Sequence, residues 1–363
     1  MRQFKKVTIV GPLAPPAGGM ANQTKKLAEF LRSEHISVDV IRTNSDYNPA
    51  FVGKIPILRA LFRLVSYKLT LMMRLKNTDV IHIMANSGWS WHLFAAPAII
   101  LGRLYNKPVI VNYRGGYAAD FFSKSWFWVN LTLKKSQAII VPSVFLQEVF
   151  NDFGKESAVI PNVLDEKLFF QTDKPASNKS PHLIVTRNLE AIYDVATTVR
   201  AFALVKKEYP QAYLSIAGTG PEKQALIALI TKLNLNGSVT FTGRLGPAEM
   251  ANLYQQADIM LNGSTVDNTP NSIIEALACA TPVVTTDAGG IPKLVTHQHD
   301  ALLVNIADHQ KMAEGVLDIL RSTTLQKTLI DNGLNTIKKF YWVNVWLKLK
   351  ACYDESIINN RVK

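Results

Sequence analysis

The chain has 363 residues, 48% hydrophobic and 19% charged, which argues against disorder or a coiled coil and sets an expectation of two domains, each with its own core. Its two cysteines, Cys279 and Cys352, lie in apolar helical contexts at no metal-ligand spacing, so neither a metal site nor a disulfide framework is expected, and the setting reads as reducing and cytoplasmic. The net charge of +12 is lopsided: residues 1–180 hold 23 Lys/Arg against 12 Asp/Glu and residues 181–363 hold 17 against 16, so the first half suits anionic lipid, acidic substrates or nucleic acid.

The N-terminal apolar run is too short for a signal peptide, and no stretch approaches the ~18 apolar residues of a spanning helix. Val7 to Val10 predicts a buried strand. Gly18 and Gly19 close the loop after it, and a helix follows over 22–31, the first strand–loop–helix unit of a doubly wound α/β domain. The glycines permit close approach of a ligand to the backbone, although a Gly pair alone is often only a turn. There is no G-x-G-x-x-G, which disfavours a dinucleotide oxidoreductase. Val38 to Ile41 predicts the second strand.

Residues 51–77 then carry six cations, among them Lys54, Arg59, Arg63, Lys68 and Arg74, with no acid between Asp46 and Asp79. Leu58, Leu61, Phe62, Val65, Leu69, Met72 and Met73 recur at helical spacing, with Arg59, Arg63 and Arg74 opposite. This basic amphipathic helix either lies on an anionic membrane surface or is an ordinary packed helix with a charged outer face. Asp79 to Met84 is a strand whose single polar interior residue is His82, a core histidine or a minor site residue. Pro108 to Asn112 is the next strand, and it delivers Arg114, a phosphate-binding candidate or a surface loop residue, then Asp120. Aromatic and basic residues interleave over 121–135, which suits a bilayer interface or a plain core helix. Strands at 138–141 and 158–160 follow, and the polar, Pro/Ser-rich 171–181 reads as a linker.

In the second half, a strand at 183–186 ends at Arg187. A helix over 194–207 turns Val195, Val199, Phe202 and Val205 inward. A strand at 213–217 runs into Gly218, and one at 239–241 is followed by Arg244. After a strand at 259–261, a polar loop carrying Asp267 and Asn268 leads to Pro270 and an apolar helix. The first N–H groups of a helix lack partners and sit at its positive end, so Asn271 and Ser272 mark an anion site. Glu275, one turn on, could accept two hydroxyl hydrogens from a ribose diol. Ser272 and Glu275 equally fit an S-x-x-E capping box with no further role. A strand at 283–285, a Gly-rich turn and a tail helix over 341–357 complete the alternation of strands and helices.

The stretch D-N-T-P-N-S-I-I-E-A-L-A-C-A-T-P-V-V-T-T-D-A-G-G-I-P, from Asp267, resembles the E-x7-E region of the retaining family 4 glycosyltransferases. V-P-S at 141–143, P-N-V-L-D at 161–165 and G-T-G-P-E at 218–222 resemble that family's landmarks. The resemblance implies a GT-B fold, with two Rossmann-like parallel-sheet domains facing a cleft. The domains would span 1–170 and 182–340, with residues 341–363 packing back on the first.

It also implies roles. Glu275 would bind the donor ribose, Asp267 would orient the sugar, and Asn268, Asn271 and Ser272 would line the phosphates. Arg187 would bind the diphosphate, with Gly18, Gly19, Gly218 and Arg244 nearby. His82, Arg114 and Asp120 would fall on the acceptor side. Four positions depart from the family: Val163 replaces the glycine of its P-N-G-x-D landmark, Arg114 stands where many relatives have a histidine before the Gly pair, and the other two lie in the donor site. The family's first acid is usually Glu, and its lysine five residues after the arginine is Ile192, which leaves Arg114 or Arg244 to compensate.

The expected activity is transfer, with retention, from a nucleotide-diphosphate sugar (UDP rather than GDP) to a lipid-linked saccharide or surface polysaccharide. No cofactor, metal or nucleic acid is involved, and the protein is expected to be peripheral on the inner face of the plasma membrane. The alternatives are a GT-B epimerase and a catalytically silent donor-binding subunit.

Overall fold

The computed structural model describes residues 4–15, 18–44, 56–173 and 180–361, with backbone only at 56–61 and 361. Its strands are short runs of Val, Ile, Leu and Met with few polar interruptions, the composition of strands covered on both faces, and they pair in parallel. Among the described residues they make two six-stranded sheets. The chain divides into two compact units, Met1–Val163 with Trp342–Lys363, and Leu164–Tyr341.

The first unit holds β1 (Lys6–Gly11), β2 (Ser37–Arg42), β3 (Val80–Ala85), β4 (Val109–Tyr113), β5 (Ala138–Val141) and β6 (Ala158–Val159), in the order β2-β1-β3-β4-β5-β6. Side chains alternate between its faces with the strand period of two. Ile9, Val80, Met84 and Ile110 go to one side. There they meet Leu27 and Leu31 of α1 (Gly19–Ser33) and Val345, Leu349 and Tyr353 of α13 (Trp342–Arg361). Val10, Ile81, Ile83, Val109 and Val111 go to the other, under α2 (Pro56–Arg74), α3 (Ala96–Leu104), α4 (Ala118–Leu133) and α5 (Val144–Asp152). The tail helix is thus part of the first unit. Trp342 stacks on Phe30 with ring centroids 5.0 Å apart and donates to Glu34 Oε1 at 2.7 Å.

Helix α2 does not bury the apolar stripe through Val65, Leu69 and Met72. Tyr67 and Leu71, with Leu75 just past the helix end, are the buried side chains, and the Tyr67 hydroxyl donates to the Phe94 carbonyl at 2.7 Å. Val65, Leu69, Met72 and Met73, which would face inward only if the helix were an ordinary packed one, are exposed. The buried phenol selects this face: it must find a hydrogen-bond partner, and the turn before α3 offers one.

The second unit holds β7 (His182–Val185), β8 (Tyr213–Ala217), β9 (Val239–Gly243), β10 (Ile259–Asn262), β11 (Val283–Thr286) and β12 (Leu302–Val304), in the order β12-β11-β10-β7-β8-β9. α6 (Val195–Glu208), α7 (Lys223–Lys232) and α11 (His309–Arg321) cover one face. α8 (Pro247–Gln256), α9 (Asn271–Ala278) and α10 (Ile291–Leu294) cover the other, and α12 (Thr323–Thr336) packs against α11 and α9. Leu164 and Phe169, ahead of the expected linker, already belong to this second core, and the Leu164 N–H donates to the Phe340 carbonyl at 2.9 Å. Part of the expected linker, 174–179, lies outside the described residues.

Candidate functional site

In an open parallel sheet, ligands gather beyond the carboxyl ends of the strands. In the second unit, the ends of β7, β8, β10 and β11 bring Arg187, Gly218, Asp267 and the Gly289–Gly290 turn together. Arg187 follows β7 and Asp267 lies on the loop after β10. Their side chains form an ion pair through Nη2 and Oδ2, each only 12% exposed. The Arg187 Nη1 donates to Ser272 Oγ at 3.3 Å. Its guanidinium lies 4.0 Å from the centre of the Tyr193 ring, a stacking that also favours the cation. Arg187 Nε is buried with no hydrogen-bond partner among the described residues.

Asp267 is held as firmly as the arginine. Its Oδ1 accepts the Asn268 N–H at 2.9 Å, and the Ser264 hydroxyl lies 3.2 Å from Oδ2 and 2.9 Å from Asn262 Oδ1. Two glycines permit the backbone to close on the pair. Gly289 has φ +53°, and a Cβ there would lie 2.2 Å from the Asp267 carbonyl oxygen; Gly218 has φ +150°, and a Cβ would lie 2.1 Å from the Arg187 carbonyl oxygen. Any side chain at either position would push the corresponding strand end away.

Helix α9 begins at Asn271, with Pro270 as N-cap and no side-chain cap. Ser272 is therefore the second residue of the helix, and its hydroxyl serves Arg187. The capping-box reading of Ser272 and Glu275 is not what the structure adopts. Glu275 is half-buried one turn further in. Its carboxylate contributes, after burial, to raising the Tyr254 phenol, whose oxygen lies 2.8 Å from Thr186 Oγ1. A cation, an uncapped helix start and two carboxylates thus share one end of the sheet. Arg244 is exposed after β9. Ile192, at the lysine position, uses its carbonyl to accept the Thr265 N–H at 2.8 Å, and its side chain brings no charge.

The candidates of the first unit separate. Gly18 is the extended N-cap of α1 and Gly19 its first residue, with no side-chain cap and open space where a Cβ would be. Arg114 is partly buried, bonded to Asn112 Oδ1 at 3.3 Å and to Asn162 Oδ1, and burial lowers its pKa to about 10. His82 is fully buried, with Nδ1 2.8 Å from the Tyr353 hydroxyl and Nε2 3.1 Å from Asn112 Nδ2. Burial first, and the Arg114 charge second, lower its pKa to about 3. With both ring nitrogens engaged, His82 fits the core reading rather than the acceptor side. Asp120 is exposed and paired with Lys124 at 2.8 Å, one helical turn on.

Of the expected membrane contacts, Lys54 lies outside the described residues, as does the side chain of Arg59. Arg63 is half-buried and Lys68 exposed, while Arg74 is paired with Asp39 at 2.9 Å. Among the described residues no group of three or more His, Cys, Asp or Glu side chains could hold a metal, and no helix is long and apolar enough to cross a membrane.

The residues that sequence reasoning missed are Tyr193 and Ser264, each defined only by its contact with Arg187 or Asp267, whereas Gly289 was read as part of the Gly-rich turn and not as a neighbour of Asp267.

Residues 167–336 match the family model described as glycosyl transferases group 1, and residues 17–168 match the model for glycosyltransferase family 4. N-acetyl-alpha-D-glucosaminyl L-malate synthase of Bacillus anthracis is 27% identical over 191 residues, 51% of this chain and 49% of that protein, so the chain matches about half the length of that relative. An uncharacterised glycosyltransferase of Methanocaldococcus jannaschii is 21% identical over 362 residues, 96% of this chain and 98% of its own. Anabaena HepE, solved in complex with UDP, superposes with a TM-score of 0.73 at 19% identity, covering 95% of this chain and 98% of that one. The two family matches together run without a break from residue 17 to residue 336, and the chain belongs to the family 4 glycosyltransferases, with the GT-B fold.

Proposed function

We propose that this chain transfers a hexose, with retention and without a metal, from a UDP-sugar to a membrane-held or surface-polysaccharide acceptor. The observation that carries the donor half is the grouping of Arg187, the uncapped start of α9, and Glu275 at one sheet end. In this reading the diphosphate lies on the N–H groups of Asn271 and Ser272 and against Arg187, whose buried Nε–H supplies an unused donor. Glu275 accepts the ribose hydroxyls. As the bond from the sugar to the diphosphate breaks, charge builds on the leaving oxygen, and the same preorganised groups meet it. Asp267 holds Arg187 in place and, at the near edge of the loop, orients the sugar. UDP is preferred by analogy with the ligand named for HepE. No D-x-D is present to bridge a metal and diphosphate, so transfer is expected to survive excess chelator. Activity lost to EDTA and restored by Mn²⁺ would overturn that part.

The acceptor reading rests on the charge of the first half, with Arg114 as the group for a phosphorylated acceptor. A second reading, a donor-binding subunit without activity of its own, is favoured by one position: Ile192, where the family carries a second cation. Both readings require donor binding. UDP-sugars at about a hundred times Kd are expected to stabilise the fold by about 2.7 kcal/mol. Glu275→Ala is expected to raise Kd at least about tenfold through loss of charge-assisted hydrogen bonds. Equal affinity in variant and wild type would remove the ribose assignment. Hydrolysis of the bound donor separates a transferase from a silent subunit, and sugar isomerised without acceptor would reveal an epimerase.

A further inference from the structure

The outer faces of three neighbouring helices in the first unit repeat one pattern. On α2, Val65, Leu69, Met72 and Met73 are exposed, with Lys68 among them and Lys76 just beyond the helix end. On α3, Ile100 and Leu104 are exposed around Arg103. On α4, Phe127, Trp128 and Leu131 are exposed between Lys124 and Lys135. The α2 and α4 sets contain the i, i+3, i+4, i+7 spacing of a single helical stripe, and the shorter α3 set its i, i+3, i+4 part. α2 packs on α3, and α3 on α4, so the stripes lie side by side. Lys76 sits over the Tyr105 ring, 5.6 Å from its centre, which ties the ends of the first two together.

Scattered exposed leucines need no explanation, but a contiguous apolar surface does. Met73 is 67% exposed, Leu104 71%, Phe127 71% and Trp128 61%. The charge around them says what the surface meets. Between Asp46 and Glu148 the chain has twelve Lys/Arg and two acids, Asp79 and Asp120. Asp79 accepts the backbone N–H groups of Lys5 and Lys6 at 2.8 and 2.9 Å, and Asp120 is paired with Lys124. Asp120 thus offsets Lys124 alone, and Asp79 offsets none of the cations of the stripes. Protein interfaces are depleted in lysine, whereas here cations are interspersed with the apolar side chains. Nucleic acid would use the charge but leave Met73, Leu104 and Leu131 in water. An anionic bilayer uses both: aromatic rings settle at headgroup level, aliphatic tips enter the acyl boundary, and lysines extend back to the phosphates.

We infer that the outer face of α2, α3 and α4 is a docking surface for an anionic lipid bilayer, with Phe127 and Trp128 inserted and Lys68, Lys76, Arg103 and Lys135 against the headgroups. It supplies the membrane partner of the proposed acceptor reading, yet it is measured without any transfer, so the two stand or fall separately.

The test is cosedimentation of the full chain with vesicles of phosphatidylcholine, with and without phosphatidylglycerol. Binding is expected to the mixed vesicles, to fall with added salt, and to be weak on phosphatidylcholine alone. Lys68→Glu with Lys76→Glu should lower affinity for mixed vesicles at least about tenfold, since each cation contributes about 1 kcal/mol. Phe127→Ser with Trp128→Ser, exposed positions where folding is retained, should lower it comparably, while the thermal shift given by a UDP-sugar stays at the wild-type value. The proposal is overturned if wild type binds neither vesicle, if variants bind as wild type does, or if phosphatidylglycerol makes no difference. It is also overturned if wild type forms a dimer that the Phe127/Trp128 variant does not, because a second copy would then cover the face. Loss of vesicle binding with the UDP-sugar shift intact leaves the donor reading standing; the reverse leaves the membrane surface standing.

Discussion

At the scale of single residues, the site turns on the pair Arg187–Asp267. Two charges this far from water stabilise the fold little as a pair, but removing one leaves the other uncompensated, at a cost of about 3 kcal/mol or more. Asp267→Asn keeps the shape and removes the charge. The variant is expected to melt lower than wild type and to lose on the order of a hundredfold or more in kcat/KM if Arg187 meets the leaving diphosphate. A diphosphate would supply the missing negative charge, so UDP should stabilise the variant at least as much as it does wild type. Scanning calorimetry with and without UDP checks this; a variant that melts with wild type would mean that Asp267 does not hold the arginine. Sequence alone could mark Arg187, Asp267 and Glu275 as candidates through their resemblance to a family pattern. It could not pair Arg187 with Asp267, eighty positions apart, nor place the Tyr193 ring beneath the guanidinium.

At the scale of elements, strands were the most legible, because buried parallel strands are short unbroken apolar runs bounded by Gly, Pro and polar residues. β1, β4, β8 and β10 fall within a residue or two of their expected limits. β12, three residues long, is too short to stand out, and the strand β6 keeps only two residues of its expected three. The orientation of α2 was not legible for a different reason. The helix is apolar on more than one side, so the stripe through Val65, Leu69 and Met72 and the stripe through Tyr67, Leu71 and Leu75 both satisfy helical spacing. Tertiary packing chose the second and left the first outside, and the exposed stripe then became evidence about a surface. The start of α9 shows the converse. S-x-x-E is a sound capping signal, yet Pro270, whose fixed φ and missing N–H suit that boundary, takes the N-cap position, so the helix starts at Asn271 and Ser272 falls inside its first turn. The serine is thereby free to serve Arg187.

At the scale of the whole molecule, the last helix belongs with the first sheet, and one buried chain of hydrogen bonds joins them. Arg114 has only donors, so the Asn112 oxygen faces it and the Asn112 amide nitrogen faces His82. Nε2 of His82 must then accept, Nδ1 carries the ring proton, and the Tyr353 oxygen of α13 receives it. A second proton on His82 would point Nε2–H at an amide donor, beside a guanidinium and away from water. The geometry and the lowered pKa, about 3 against an ordinary 6.5, therefore share one cause. Because the folded-state value is depressed, the contribution is present above the unfolded pKa and is lost as pH falls from about 6.5 toward 3, at up to about 1.4 kcal/mol per unit. His82→Gln can accept from Asn112 and donate to Tyr353 without titrating. It is expected to be less stable than wild type at neutral pH, through imperfect packing, and to lose less stability on acidification, so the two unfolding curves converge between neutrality and about pH 5. Urea unfolding followed across that range checks the slope; parallel curves would mean that His82 does not set the acid sensitivity of the first unit and that other buried groups do.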